Sequence, residues 1–271
     1  MLIKELEQQR GEGLPYREGV AAAEFEPLVK GLGFVPERLA ATEATHALPV
    51  VERDGAVILT GWPVEQGSPV RAAAAVLGTR LRWLETVSAQ TTTSGALPLH
   101  TDGANVFVDI HDRRERVRDP DIDYVLILCD TPAPTGGESL VCDGYRLIER
   151  IREGDPELYE FLTTVDIETG SGGGETPRVA RMVEWTRAGR LVVRSDPWST
   201  PRPRDWHAQE NERFLVRYSD LLATLAAQAP STRLASGEIL MLDNYRCPHS
   251  VGPHDGRRLV HVLRLKSVDA H

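Results

Sequence analysis

The sequence predicts a mainly β fold with flanking helices around a double-stranded β-helix core, that is, a jelly-roll or cupin-like barrel. Two observations predict it. Short apolar runs bounded by Pro, Gly or Asp crowd the middle and end of the chain: NVFVDI, DYVLILCD and ESLVCD, then GEILMLDN, YRCPHSV and RRLVHVLRL. Such runs read as strands joined by turns. Helical stretches lie before and between them without regular alternation, which argues against a doubly wound parallel sheet and for a barrel that carries helices.

Taken in order, Glu18 to Leu32 reads as an amphipathic helix, with Val20, Phe25, Leu28 and Val29 near helical spacing, ended by Gly31 and Gly33. GAVILTG at 55–61 reads as a buried strand and the alanine-rich Val70 to Leu77 as a helix. The RRERVR cluster at 113–118 reads as a solvated loop, or in a functional reading a lid over substrate. Asp143 is placed to cap a helix over Gly144 to Arg152. Pro156 stands at the first position of another over Asp155 to Leu162. Residues 170–177 (GSGGGETP) form a loop, and without a Gly-Lys-Ser/Thr ending it is not a phosphate-binding loop. Strand-like MVEWT and RLVVRS and a proline-rich turn follow, then a long helix from Gln209 to Ala229 with one apolar side. One domain over 1–271 is expected. It has an N-terminal helical region at 1–54 and a jelly-roll core at 55–268, interrupted by a 143–230 insertion with helices.

A chain of 271 residues can bury a full core without disulfides or a structural metal. Cys129, Cys142 and Cys247 are scattered and form no C-x-x-C pair, which argues against a disulfide framework and a cysteine zinc site. A net charge of −9 disfavours nucleic acid as a partner, and no aromatic-and-basic stripe suggests it. No apolar run approaches the roughly 20 residues that span a bilayer. The charged start MLIKELEQQR lacks the apolar stretch of a signal peptide. The expectation is a cytoplasmic protein with a small-molecule substrate and no membrane partner; homo-oligomerisation is left open.

The chemistry centres on His100-Thr101-Asp102 and on His249 near the end of the chain. Strand side chains alternate with period 2, so His100 and Asp102 point to the same side of extended backbone. A second histidine from a distant strand would complete two imidazoles and a carboxylate on one face of a metal. That set leaves coordination positions open and suits non-haem Fe(II) oxygenases. Alone, the pair reads more readily as a surface Asp-Gly turn, and a lone His249 as a core or turn residue. Cys247 shares a strand face with His249, as a packed thiol or a neighbour of the metal.

Read together, these pieces resemble the Fe(II)/2-oxoglutarate-dependent dioxygenases of the taurine dioxygenase and clavaminate synthase-like family. The pieces occur in the family's order: GAVILTG, the His-x-Asp of LPLHTDG, the turn APTGGES, and the C-terminal Asp-Asn, His, Arg-Arg block. The resemblance implies that His100, Asp102 and His249 hold Fe(II). It implies that Ser139 and Arg258 bind the distal carboxylate of 2-oxoglutarate, a hydroxyl and a planar fork suiting its two oxygens. The family often has a second arginine four residues on, where this chain has Val262. Arg264, on the same strand face as Arg258, is the alternative anchor. The implied reaction consumes 2-oxoglutarate and O2 and releases succinate and CO2. Hydroxylation is its default outcome, with desaturation, cyclisation and epimerisation open, and the expected substrate is a small polar metabolite, an amino acid or a natural-product intermediate. Asp102 argues against halogenation, because family halogenases carry a small residue there. Substrate contacts are expected from 86–97, 104–120 and 170–206, with Gln90, Asn105, Arg194 and Trp198 as candidates; an exposed ion pair is the plainer role for Arg194. Two other readings stay open: a cupin-type metal isomerase or hydrolase, and a non-catalytic jelly-roll protein that binds 2-oxoglutarate.

Overall fold

The central strands are apolar on both faces because both faces are covered. In the computed structural model, which describes residues 19–110, 113–119, 121–170, 177–202 and 205–270, the strands fall into two sheets and several short ladders. The first strands are β1 (Gly33–Phe34), β2 (Glu37–Ala40), β3 (Ala56–Thr60), β4 (Leu81–Leu84) and β5 (Ser88–Gly95). Next come β6 (Ala104–Ile110), β7 (Arg113–Asp119), β8 (Tyr124–Thr131), β9 (Thr135–Gly136) and β10 (Ser139–Cys142). The last are β11 (Ser231–Thr232), β12 (Ile239–Asp243), β13 (His249–Val251) and β14 (His254–Ser267).

The larger sheet runs β2-β3-β12-β8-β14-β4, with β5 and β9 also on β14. The smaller runs β1-β10-β11, with β13 on β10. In β3, Ala56 and Ile58 join Leu240, Leu242, Cys129 and Val141 in the core between the sheets. Val57 and Leu59 alternate to the other face and pack with Met241, Leu126 and Leu263. Helices α1 (Glu26–Val29), α2 (Ala47–Asp54) and α3 (Ser68–Leu77) come from the first third of the chain, α4 (Gly144–Gly154), α5 (Pro156–Thr164) and α6 (Ala208–Gln228) from the rest. Val50, Val51, Ala72, Ala73 and Val76 of α2 and α3 cover the outer face of the larger sheet. The second helical group packs on itself through Leu147, Ile151, Leu158, Leu162, Leu221 and Leu225. This is a jelly-roll core with helices outside it.

Several elements differ from the sequence reading. The expected helix over Glu18 to Leu32, whose first residue lies outside the described residues, is a 3-10 turn at Ala23–Phe25 followed by α1. The chain before it is extended, because the amides of Val20 and Ala22 donate to Asp220 Oδ1 and Thr224 Oγ1 of α6. The RRERVR cluster is not a loop but β7, paired along its length with β6 from Ala104↔Asp119 to Ile110↔Arg113. Its charge is tolerated because the hairpin is a separate two-stranded ladder; Arg114 stacks over the exposed Phe107 ring at 4.8 Å. Segment 86–97, from which substrate contacts are expected, is largely β5, whose threonines suit a pleated ladder. YRCPHSV is a turn that becomes strand only at His249. Residues 1–54 supply β1 and β2 as well as helices, and the centre of the 170–177 loop lies outside the described residues. Among the described residues, no helix is long and apolar enough to cross a membrane.

Candidate active site

His249 opens β13 of the smaller sheet, where it pairs with Val141 of β10. The chain before it turns because Asp243 accepts from the amides of Tyr245 and Arg246 at 3.0 and 3.2 Å. His100 meets His249 through reciprocal backbone hydrogen bonds, each 2.9 Å, an isolated antiparallel bridge that sets the rings 4.8 Å apart. Thr101 points the other way, its hydroxyl accepting from the Ser195 amide, and this alternation returns Asp102 to the side of His100. One ligand atom from each of His100, Asp102 and His249 lies within 4.8 Å of the others.

The donor set fits a metal. His100 Nδ1 bonds the Pro98 carbonyl at 2.9 Å and His249 Nδ1 the Cys247 carbonyl at 3.2 Å. A carbonyl only accepts, so both Nδ1 atoms carry hydrogen, which leaves each Nε2 as the ring atom available to a cation; His249 Nε2 lies 3.2 Å from Asp102 Oδ2. Burial and the neighbouring His249 ring hold the His100 pKa down to about 4. Burial alone would raise the Asp102 carboxyl, but Arg264, His249 and His100 hold it well below the usual carboxylate range. A neutral imidazole and an ionised carboxylate are the forms that bind a cation.

The cleft around this set is lined by Gln90, Leu97, Ile127, Ser139, Leu240, Ser250, Val251, Arg258, Val260, Val262 and Arg264. Alternation along β14 puts Arg258, Val260, Val262 and Arg264 on one face, and β5 brings Gln90 opposite Val260. The two arginines differ. Arg264 donates from Nε to Asp102 Oδ1 at 2.8 Å and lies 3.4 Å from Glu85 Oε2. Arg258 is half-buried and, among the described residues, has no carboxylate or other hydrogen-bond partner; burial lowers its pKa. Gly137, at φ +75°, brings the APTGGES turn against the Arg258 side chain: a Cβ there would lie 3.6 Å from Arg258 Cδ.

Of the substrate candidates, only Gln90 lines this cleft. Arg194 is buried and paired, with Asp121 at 2.5 Å and Glu184 at 2.6 Å. Trp198 is half-buried in a turn whose neighbours Asp196, Pro197 and Ser199 line a separate cavity of about 410 Å³. Asn105 sits on β6, and its side chain lies outside the described residues. The Cys247 thiol is buried under Gly55, where a Cβ would come within 2.4 Å of the sulfur; its carbonyl serves His249 instead.

Two residues of the site were given no role by the sequence reading, although Asn244 stands in the block that carries the resemblance. Asn244 accepts from the Asp102 amide at 2.8 Å and donates to the carbonyls of Asp102 and Ile122 at 2.9 and 2.6 Å, clamping the ligand turn. A buried amide right after an apolar strand and five residues before His249 is the signal that marks it. Glu85 carries no comparable signal.

The family model described as taurine catabolism dioxygenase TauD, TfdA family, matches residues 24–265. The chain belongs to this family. TauD/TfdA membership makes it an enzyme, an Fe(II)- and 2-oxoglutarate-dependent dioxygenase with O2 as co-substrate, and sets aside the cupin-type isomerase or hydrolase. Solved structures share the fold. An asparagine oxygenase in complex with Fe(II), 2S,3S-3-hydroxyasparagine and succinate is 18% identical at a TM-score of 0.55, over 98% of this chain and 90% of that one. A taurine dioxygenase from Burkholderia xenovorans is 15% identical at 0.56, over 84% and 83%. AAD-2, in complex with Mn(II) and N-oxalylglycine, is 14% identical at 0.56, over 85% and 89%.

Proposed function

We propose that this TauD/TfdA enzyme hydroxylates a small polar metabolite, an amino acid or a natural-product intermediate. In the balanced reaction, substrate, 2-oxoglutarate and O2 give hydroxylated product, succinate and CO2, one oxygen atom entering the product and the other succinate. His100, Asp102 and His249 hold the metal, and Ser139 and Arg258 hold the distal carboxylate of 2-oxoglutarate. When bound, Fe(II) supplies the means of activating O2 against a C–H bond.

The observation that carries this reading is Arg258: a half-buried guanidinium with no carboxylate partner among the described residues, in the same cleft as the three metal-ligand candidates. A buried cation needs an anion, and a dicarboxylate chelated beside the triad would supply one. Arg264 already pairs with Asp102 and Glu85, which favours Arg258 as the anchor. Ile127, Leu240, Val251, Val260 and Val262 exclude water around the reacting carbon. Gln90, exposed at the mouth, is placed to take a polar group of the substrate.

The test is succinate formation by the full chain with Fe(II), ascorbate and 2-oxoglutarate against a panel headed by free amino acids. They come first because the similar asparagine oxygenase was solved with a hydroxylated amino acid. Stimulated succinate release together with a product 16 Da heavier than its substrate is expected. Stimulation with a product of any other mass contradicts hydroxylation, and no stimulation across the panel contradicts the substrate class.

A further inference from the structure

We infer that Glu85, Arg264 and Asp102 form a positioning relay that fixes the orientation of the metal-ligand carboxylate, with Arg264 committed to Asp102 rather than to a bound carboxylate. The inference rests on the metal assignment proposed above and goes one layer outward from it. Arg264 grips one carboxylate oxygen, Oδ1, from two nitrogens, Nε at 2.8 Å and Nη2 at 2.7 Å. The other oxygen, Oδ2, is left facing the second histidine, 3.2 Å from His249 Nε2. An Asp102 so held turns a single oxygen, Oδ2, to the shared ligand position, while Oδ1 is taken by Arg264.

Glu85 completes the arrangement from the link between β4 and β5. Its carboxylate lies 3.4 Å from Arg264 Nη1, and its backbone amide donates to the Arg264 carbonyl at 2.8 Å. The guanidinium therefore has carboxylate partners on both sides, and its side chain is only 17% exposed. A cation neutralised twice is poorly placed to recruit a third anion, whereas Arg258, six residues earlier on the same strand face, has none among the described residues. The backbone of Asp102 is fixed separately by Asn244. Backbone and carboxylate thus have different anchors, and the carboxylate anchor can be tested alone.

The experiment measures Mn(II) affinity by loss of the free-ion electron paramagnetic resonance signal, and 2-oxoglutarate affinity by calorimetry at saturating Mn(II), on the full chain. In Arg264→Gln the Mn(II) Kd is expected to rise about 10- to 100-fold, the usual cost of losing a residue behind a metal ligand, while the 2-oxoglutarate Kd moves less than about threefold. Arg264→Lys should recover part of the Mn(II) affinity, and Glu85→Gln should weaken it only about two- to fivefold, as for a partly exposed ion pair. Arg264→Lys and Glu85→Gln keep a polar group in place and serve if Arg264→Gln does not fold. An unchanged or tighter Mn(II) Kd in Arg264→Gln, or a weakened 2-oxoglutarate Kd with Mn(II) binding intact, overturns the relay. His249→Ala separates the two levels: if it binds Mn(II) as the wild type does, the metal assignment itself fails.

Discussion

Asn244 shows how much of the proposed metal site can depend on a residue that is not among its proposed ligands. Its amide makes three hydrogen bonds, two of them to the backbone of Asp102, and it is almost fully buried. Asn244→Ala leaves those backbone groups unpaired beside the ligand. We expect Mn(II) or Fe(II) affinity to fall about 10-fold or more and stability to drop by about 1–3 kcal/mol, read by metal titration and by urea denaturation of the metal-free protein. The sequence makes His100 and Asp102 visible because a strand imposes period 2, and makes Arg258 visible through family order. It hides the roles of Asn244 and Glu85 because each acts across the fold: Asn244 is 142 residues from Asp102, and Glu85 is 179 from Arg264. Arg194 shows the converse. As a substrate candidate its plainer role is an exposed ion pair; the fold does pair it, with Asp121 and Glu184, but buries it out of the cleft.

Among the elements, α4 is set by one side chain. Asp143 Oδ1 accepts from the amides of Tyr145 and Arg146 at the helix start, and its Oδ2 pairs with Arg246 Nη2 at 2.6 Å. Arg246 lies in the turn that leads to His249, so the cap also ties helix to ligand strand. Asp143→Ala removes both roles, and a cost of about 2–4 kcal/mol is expected from the lost cap and from a mostly buried guanidinium left with only the Glu52 and Arg53 carbonyls. A urea midpoint unchanged from wild type would contradict it. The cap was readable because Asp143 precedes a periodic helix. β7 was not, because its charged residues carry no apolar alternation and it becomes a strand only by pairing with β6. β5 has the same origin: its pairing with β14, 159 to 174 residues away, makes it a strand.

For the whole molecule, two sheets enclose one apolar layer and helices cover the other face of the larger sheet. Ile58, fully buried between the sheets, reports on that layer. Ile58→Ala should cost about 2–5 kcal/mol, seen as a lower urea midpoint with an unchanged slope. A loss below about 1 kcal/mol would mean that the layer is not close-packed there. The arrangement has a functional consequence. The smaller sheet carries His249 and Ser139, the larger carries Arg258 and Arg264, and the chain between β5 and β6 brings His100 and Asp102. The site exists only when both sheets are assembled, so its residues are scattered through the sequence while the strand pattern of each sheet is local.

The most direct measurement is an anaerobic titration of the Fe(II)-loaded enzyme with 2-oxoglutarate, followed by visible absorption in wild type, Arg258→Gln and His249→Ala. A weak charge-transfer band should grow with 2-oxoglutarate in the wild type. It should need about 10- to 100-fold more cosubstrate in Arg258→Gln, the loss expected for one charge-assisted contact, and be absent in His249→Ala. A band that saturates at the wild-type concentration in Arg258→Gln, or one that survives His249→Ala, would contradict the assignment of anchor or ligand respectively.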